Sequence, residues 1–122
     1  MTDLPKISVV LPTFNGAAYL GESLNSIVDQ SFSSWELIVV DDGSTDTTPE
    51  IIQEFVDRDS RIRQVRHTEN RNLPIALNTG FSEAKGQYFT WNSDDNVYDQ
   101  NAFQRLNDVL KRSDEIDIVY AD

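Results

Sequence analysis

The sequence predicts an α/β domain: a mainly parallel sheet of about five strands, with about four helices packed against it. Three observations carry the prediction. Short apolar runs of strand length alternate along the chain with stretches whose apolar residues recur at helical spacing. One of the runs stops abruptly at two adjacent carboxylates, Asp41-Asp42, and another runs into a second acidic tip, Asn92-Ser93-Asp94-Asp95-Asn96. No internal repeat, low-complexity tract or cysteine competes with that reading.

The first strand is Lys6–Leu11 (KISVVL), ended by Pro12 and the loop Thr13-Phe14-Asn15-Gly16. A helix follows with Leu20, Leu24, Ile27 and Val28 on one face, closing near Gln30-Ser31. The second strand lies in Trp35–Asp46 (WELIVVDDGSTD). Its Leu37-Ile38-Val39-Val40 run has the β-branched, unbroken character of a strand buried on both faces. Thr47, Thr48, Pro49 and Glu50 then form a helix start. This helix turns Ile51, Ile52, Phe55 and Val56 inward and leaves Glu54, Asp57 and Arg58 to solvent. Ile62–Arg66 (IRQVR) alternates as an edge strand does. Pro74 marks a third helix start and Lys85-Gly86 its stop. Gln87–Trp91 is a fourth strand running into Asn92-Ser93-Asp94-Asp95-Asn96. Asp99–Ser113 is a helix with Phe103, Leu106, Val109 and Leu110 inward, and Asp117–Ala121 a fifth strand. Trp35 and Trp91 read as core residues, and His67 as structural.

Residues 1–122 are taken as one domain. With 21 acidic against 10 basic residues and a formal charge of −11, bulk electrostatics argues against nucleic acid as a partner. No apolar run is long enough to span a bilayer, and no signal peptide is visible. A cytoplasmic location is expected, with membrane association left open for a longer chain.

Strands of one parallel sheet end on the same edge, so both acidic tips are expected there, where α/β sheets bind ligands. Carboxylates within about 5 Å repel by about 3 kcal/mol at an effective dielectric near 20. A hard divalent cation is one reason to gather them, since Mg²⁺ takes oxygen ligands and keeps substrate phosphates in its shell. The competing reading is Asp as loop and helix-cap residue. Phe14 can cover a nucleobase or plug the core. Arg71 can meet a phosphate or stand in solvent. No dinucleotide fingerprint, phosphate-binding P-loop or nucleophile elbow is present.

Three segments, ISVVLPTFNGAAYL (7–20), WELIVVDDGSTD (35–46) and GQYFTWNSDDNVY (86–98), in this order and spacing, resemble the family-2 glycosyltransferases, enzymes of the GT-A fold. NRNLPIALNTG (70–80) fits the intervening pattern, with Leu73, Ala76, Asn78 and Gly80 in the expected places. The resemblance implies a Rossmann-like three-layer sandwich and an inverting transfer from a nucleotide-sugar donor (UDP-, GDP- or dTDP-sugar) to a glycan or lipid-linked acceptor. It implies donor contacts from Pro12, Thr13 and Phe14, a hydrogen bond from the base to Asp42, and further nucleotide-sugar contacts from Arg71 and Asn78. Ser93-Asp94-Asp95 is the DxD-type element, with Asp94 near the ribose and Asp95 on the Mg²⁺ or Mn²⁺ that binds the diphosphate. Asp41 is then left to brace the turn.

Two departures from the family pattern stand out. Ser93 occupies a position where an acid is frequent, and Asn72 one where Gly is frequent; Asn tolerates positive φ better than most residues. No residue matches the family's general base, so no catalytic residue is named. The expectation is a donor-binding portion, cut before the acceptor half and inactive alone, with a homodimer through the last strand's edge as an option. Two alternatives are a phospho-acceptor receiver domain and a non-catalytic GT-A-like binding module. The receiver would need an acidic pair after the first strand, where this chain has Leu-Pro-Thr.

Overall fold

A computed structural model describes residues 4–112 and 118–120. Strands and helices alternate: β1 (Ile7–Thr13), α1 (Leu20–Val28), β2 (Trp35–Asp41), α2 (Thr48–Arg58), β3 (Ile62–Arg66), α3 (Leu73–Ser82), β4 (Tyr88–Trp91), α4 (Ala102–Arg112) and β5 (Ile118–Tyr120). The five strands form one sheet in the order β3-β2-β1-β4-β5, and every pair is parallel. Chain order therefore runs outward from β1 in both directions. The reversal falls between β1 and β4.

The side-chain period of two sorts the central strands onto two faces. Val9, Leu11, Leu37 and Val39 meet Leu24 and Ile27 of α1, Ile52 and Phe55 of α2 and Phe103 of α4. Val10, Ile38 and Val40 meet Ala76 of α3 on the other face. Helices cover both faces, which gives three layers and explains why β1 and β2 are buried at every position. β3 is an edge strand with one buried residue, Ile62, as its alternating sequence requires.

Helix boundaries differ from expectation by a few residues. α1 ends at Val28, α3 at Ser82 and α4 begins at Ala102, after a turn in which Asp99 accepts from the Asn101 and Ala102 N–H groups. Val109, expected inward, is 44% exposed, whereas Asn107 is buried. The pitch gives the reason. At 100° per residue, 107 and 110 lie within about 40° of Phe103, while 109 lies about 120° away. The expected ends of this helix and of β5, at Ser113, Asp117 and Ala121, lie outside the described residues.

One buried charge was not anticipated. Glu36 on β2 accepts from the Ser8 hydroxyl, the Lys85 N–H (2.6 Å) and Arg63 (2.6 Å). Burial alone would raise its pKa; these donors outweigh burial and hold the carboxyl below its usual value. This network lies at the start of the strands, opposite the acidic tips.

Candidate functional site

The strand order reverses between β1 and β4, and a parallel sheet opens a crevice beyond its carboxyl ends at such a point. A cavity of about 410 Å³ lies there. Pro12, Thr13 and Phe14 line it from the end of β1, Asp42 from the end of β2, Trp91, Ser93 and Asp94 from the end of β4, and Asn70, Asn72, Leu73 and Ala76 from α3 and the loop before it. Tyr19, just before α1, completes the wall. Its phenol is raised above the ordinary value, first by the charge of Asp94.

The first acidic tip is tied into the protein. Asp41 is inaccessible to solvent; its Oδ1 accepts the Ser44 N–H at 3.0 Å, and Arg66 Nε stands 3.4 Å from Oδ2, close enough for an ion pair but without a hydrogen bond. This carboxylate braces the turn. Asp42 points elsewhere. Its Oδ1 accepts from His67 Nδ1 at 2.7 Å and from the Arg71 N–H at 2.9 Å, and its Oδ2 from the Asn72 N–H at 3.0 Å. Asp42 thus ties the end of β2 to the loop that opens α3. Gly43 makes room for that loop: its φ is +82°, and a Cβ would lie 2.5 Å from the Glu69 carbonyl carbon. Asn72 has φ 78° and ψ 162°, a region that costs a non-glycine residue about 1–3 kcal/mol. The acceptors from Asp42 and Asn70 that hold its N–H keep it there.

The second tip draws on two hydroxyls and on backbone N–H groups at residues 14 and 94. Asp94 Oδ2 accepts the Thr13 hydroxyl at 2.6 Å. A Cβ on residue 16 would come within 2.5 Å of the same oxygen, so Gly16 is what lets Asp94 reach the β1 loop. Burial raises the Asp94 pKa, the Thr13 bond works against that, and the negative charge of Asp95 raises it further. Asp95 is exposed and accepts the Ser93 hydroxyl at 2.9 Å. Ser93, Asp94 and Asp95 form an oxygen-only donor set of the kind a hard divalent cation takes. Among the described residues no group of three or more His, Cys, Asp or Glu side chains could hold a metal. A cation here would need ligand phosphates and water to complete its shell.

The structure brings Pro12, Thr13, Phe14, Asp42, Ser93 and Asp94 together on one cavity. Phe14 is 45% exposed, a ring on the cavity wall and not a core plug. Asp95 lies beside Asp94 but outside the lining, and Arg71 joins the site through its backbone N–H while its side chain does not line the cavity. Asn78 is exposed on α3, away from the lining. Trp35 is core, as expected; Trp91 packs partly against the Val10–Ile38 cluster and also walls the cavity. Sequence reasoning missed the part played by His67. Its Nδ1 meets Asp42 and its Nε2 lies 2.9 Å from the Thr79 hydroxyl, so it joins β2, β3 and α3. The available signal was its position directly after β3, on the same edge as the acidic tips.

The family model for "Glycosyl transferase family 2" matches residues 8–121. The chain belongs to that family. GlyG, a glycosyltransferase of Streptococcus pneumoniae, is 39% identical over 109 residues, covering 88% of this chain and 36% of GlyG. TarS of S. aureus in complex with UDP superposes with a TM-score of 0.82 at 26% identity, over 88% of this chain and 32% of the TarS chain. The mannosyltransferase PcManGT of Pyrobaculum calidifontis, in complex with GDP-Man and Mn²⁺, gives 0.81 at 28% identity, over 89% and 33%. The fold is GT-A. The chain spans about a third of the length of each of these relatives. Membership in the family replaces the receiver-type alternative. Among the described residues no helix is long and apolar enough to cross a membrane.

Proposed function

We propose that residues 1–122 form the nucleotide-sugar-binding domain of an inverting, metal-dependent glycosyltransferase. The observation that carries this reading is the cavity itself: apolar walls at one side and the Asp94 carboxylate at the other, with Asp95 next to it, on the switch point of a GT-A sheet. Phe14, Pro12 and Leu73 offer apolar surface to the flat face of a base, and Asp42 offers an acceptor to its edge. Thr13 and Asp94 meet the ribose, and Arg71 and Asn78 act on the donor from outside the lining.

Asp95, with the Ser93 hydroxyl beside it, would hold Mg²⁺ or Mn²⁺ against the diphosphate. A cation bound there supplies Lewis-acid stabilisation to the departing nucleoside diphosphate. The chain's own residues then orient the donor: the apolar walls and Asp42 fix the base, and Thr13 fixes the carboxylate of Asp94 through its hydroxyl. The inverting course is part of the proposal and is what the family resemblance implies. No residue is assigned as general base, so this chain by itself is proposed to bind donor without completing transfer to a glycan or lipid-linked acceptor.

Ligand that binds only the folded protein raises its melting temperature. In the presence of Mn²⁺, at least one of UDP, GDP and dTDP is expected to raise Tm by more than Mn²⁺ or the nucleotide alone. No shift with any of the three, on folded protein, overturns the reading.

A further inference from the structure

Asp42 lines the cavity with a side chain that is only 6% exposed, so the donors around it set its direction. Among the described residues, His67 Nδ1 and the Arg71 N–H meet Oδ1 at 2.7 and 2.9 Å, and the Asn72 N–H meets Oδ2 at 3.0 Å. Two of these donors are backbone groups of one loop. The third is a ring from beyond β3, and because a carboxylate only accepts, that ring carries a proton on Nδ1. Its Nε2 stands 2.9 Å from the hydroxyl of Thr79 on α3, which itself donates to the Ile75 carbonyl at 3.0 Å. The imidazole thus spans from the carboxylate to the helix that opens, at Leu73, directly after the wall residues Asn70 and Asn72. β3 ends at Arg66, and the backbone N–H of residue 67 reaches the Asp41 carbonyl at 2.9 Å whatever side chain it carries, so the strand does not depend on the ring.

We infer that His67 is a positioning residue of the nucleotide site: its Nδ1–H aims the Asp42 carboxylate, and through it the wall at residues 70–73, at the bound base. The inference rests on the donor-binding reading above and adds to it a residue outside the cavity lining, one that acts through Asp42. Asn72 shows why an outside anchor is needed. Its backbone, at φ 78° and ψ 162°, is of a kind that persists only where its surroundings over-determine it, and the acceptors for its N–H come from Asp42 and Asn70. Without the ring, the carboxylate keeps only the Arg71 and Asn72 N–H groups, both on the loop that it has to hold. A carboxylate that follows its loop offers the base a spread of directions, and hydrogen bonds weaken steeply as their angle closes.

The test uses two substitutions that divide the contacts of the ring. Asparagine carries its amide nitrogen two bonds beyond Cβ, as Nδ1 is; glutamine carries its own three bonds beyond, as Nε2 is. His67→Asn therefore keeps a donor for Asp42 and gives up Thr79, and His67→Gln does the reverse. The full chain is titrated calorimetrically with UDP, GDP and dTDP in Mn²⁺, at a temperature where parent and variants are folded, and thermal melts are recorded alongside. The nucleotide that binds the parent most tightly is expected to bind His67→Gln about tenfold or more weakly and His67→Asn within about threefold of the parent, the range of one hydrogen bond to a charged group. Both variants are expected to melt within a few degrees of each other. In the parent, the nitrogen chemical shifts of the His67 ring are expected to show Nδ1 protonated. His67→Gln binding as tightly as the parent, His67→Asn losing as much as His67→Gln, a variant that does not fold, or a ring protonated on Nε2 alone each overturns the inference and leaves donor binding standing. Absence of binding by all three nucleotides to the parent overturns the donor-binding reading and the inference with it.

Discussion

The two acidic tips look alike in sequence and behave differently in the fold. Asp41 and Asp42 are buried and hold a turn, a loop and a histidine in place; every contact they make is to the protein itself. Asp94 and Asp95 lie half-buried and exposed, with two hydroxyls as side-chain hydrogen-bond donors, and the charge of Asp95 raises the pKa of its neighbour. The same pair of residues is architecture at one strand end and, in the function proposed above, the place for a cation at the other. What separates them is the neighbourhood. β2 and β4 each have a strand on either side, but the segment that follows β3 folds over the tip of β2 and brings His67 and the Arg71 and Asn72 N–H groups to it. At the second tip the side-chain donors are the Thr13 and Ser93 hydroxyls.

That difference can be broken by substitution. Asp42→Ala is expected to have the largest effect, destabilising the fold by about 3 kcal/mol, because it strands the His67 ring and two backbone N–H groups together. Nucleotide binding should vanish with it. Chemical denaturation measures the first and calorimetry the second, and a variant as stable as the parent would place Asp42 outside the architecture.

Glu36 sharpens the comparison from the opposite edge of the sheet, as another carboxylate held by donors of the protein itself. Its folded pKa lies below 4.5, the unfolded value. The stability it contributes is therefore complete above that value and is lost as pH falls through the lower, folded one. Glu36→Gln should lower stability at neutral pH and make the acid side of the stability profile shallower. A profile parallel to the parent's would mean the Ser8, Lys85 and Arg63 contacts do not favour the charged form.

The smallest effect belongs to Asn72. Its backbone sits where glycine is comfortable, so Asn72→Gly is expected to stabilise by about 1 kcal/mol, read as a higher denaturation midpoint with unchanged slope. Destabilisation instead would mean the Asn72 side chain contributes more than its backbone strain costs.

Much of this was legible in the sequence because it depends on local pattern. Leu37–Val40 reads as a doubly buried strand and is one; IRQVR reads as an edge and is one. Asn72 was recognised as a residue where glycine is frequent, and its φ is positive. The two tips fall on one edge because parallel strands must end together. What the sequence withheld is partnership across the chain. His67 meets Asp42 from 25 residues away and Thr79 from 12, and no spacing rule reports such contacts. The buried Glu36 depends on Ser8, Arg63 and the Lys85 N–H, which the sheet and the α3–β4 turn assemble. Val109 was misplaced because it is as apolar as its neighbour Leu110, whereas the helical pitch carries only Leu110 to the face of Phe103.

The central claim is that the tip at Asp94-Asp95 holds a divalent cation against a bound diphosphate while the tip at Asp41-Asp42 does not. Calorimetric titration of UDP with and without Mn²⁺, on the parent and on Asp95→Asn, tests it most directly. The account predicts that Mn²⁺ tightens binding to the parent by about tenfold or more, and that the exposed substitution removes this gain while leaving the melting temperature within a few degrees. Equal tightening by Mn²⁺ in parent and variant would contradict it.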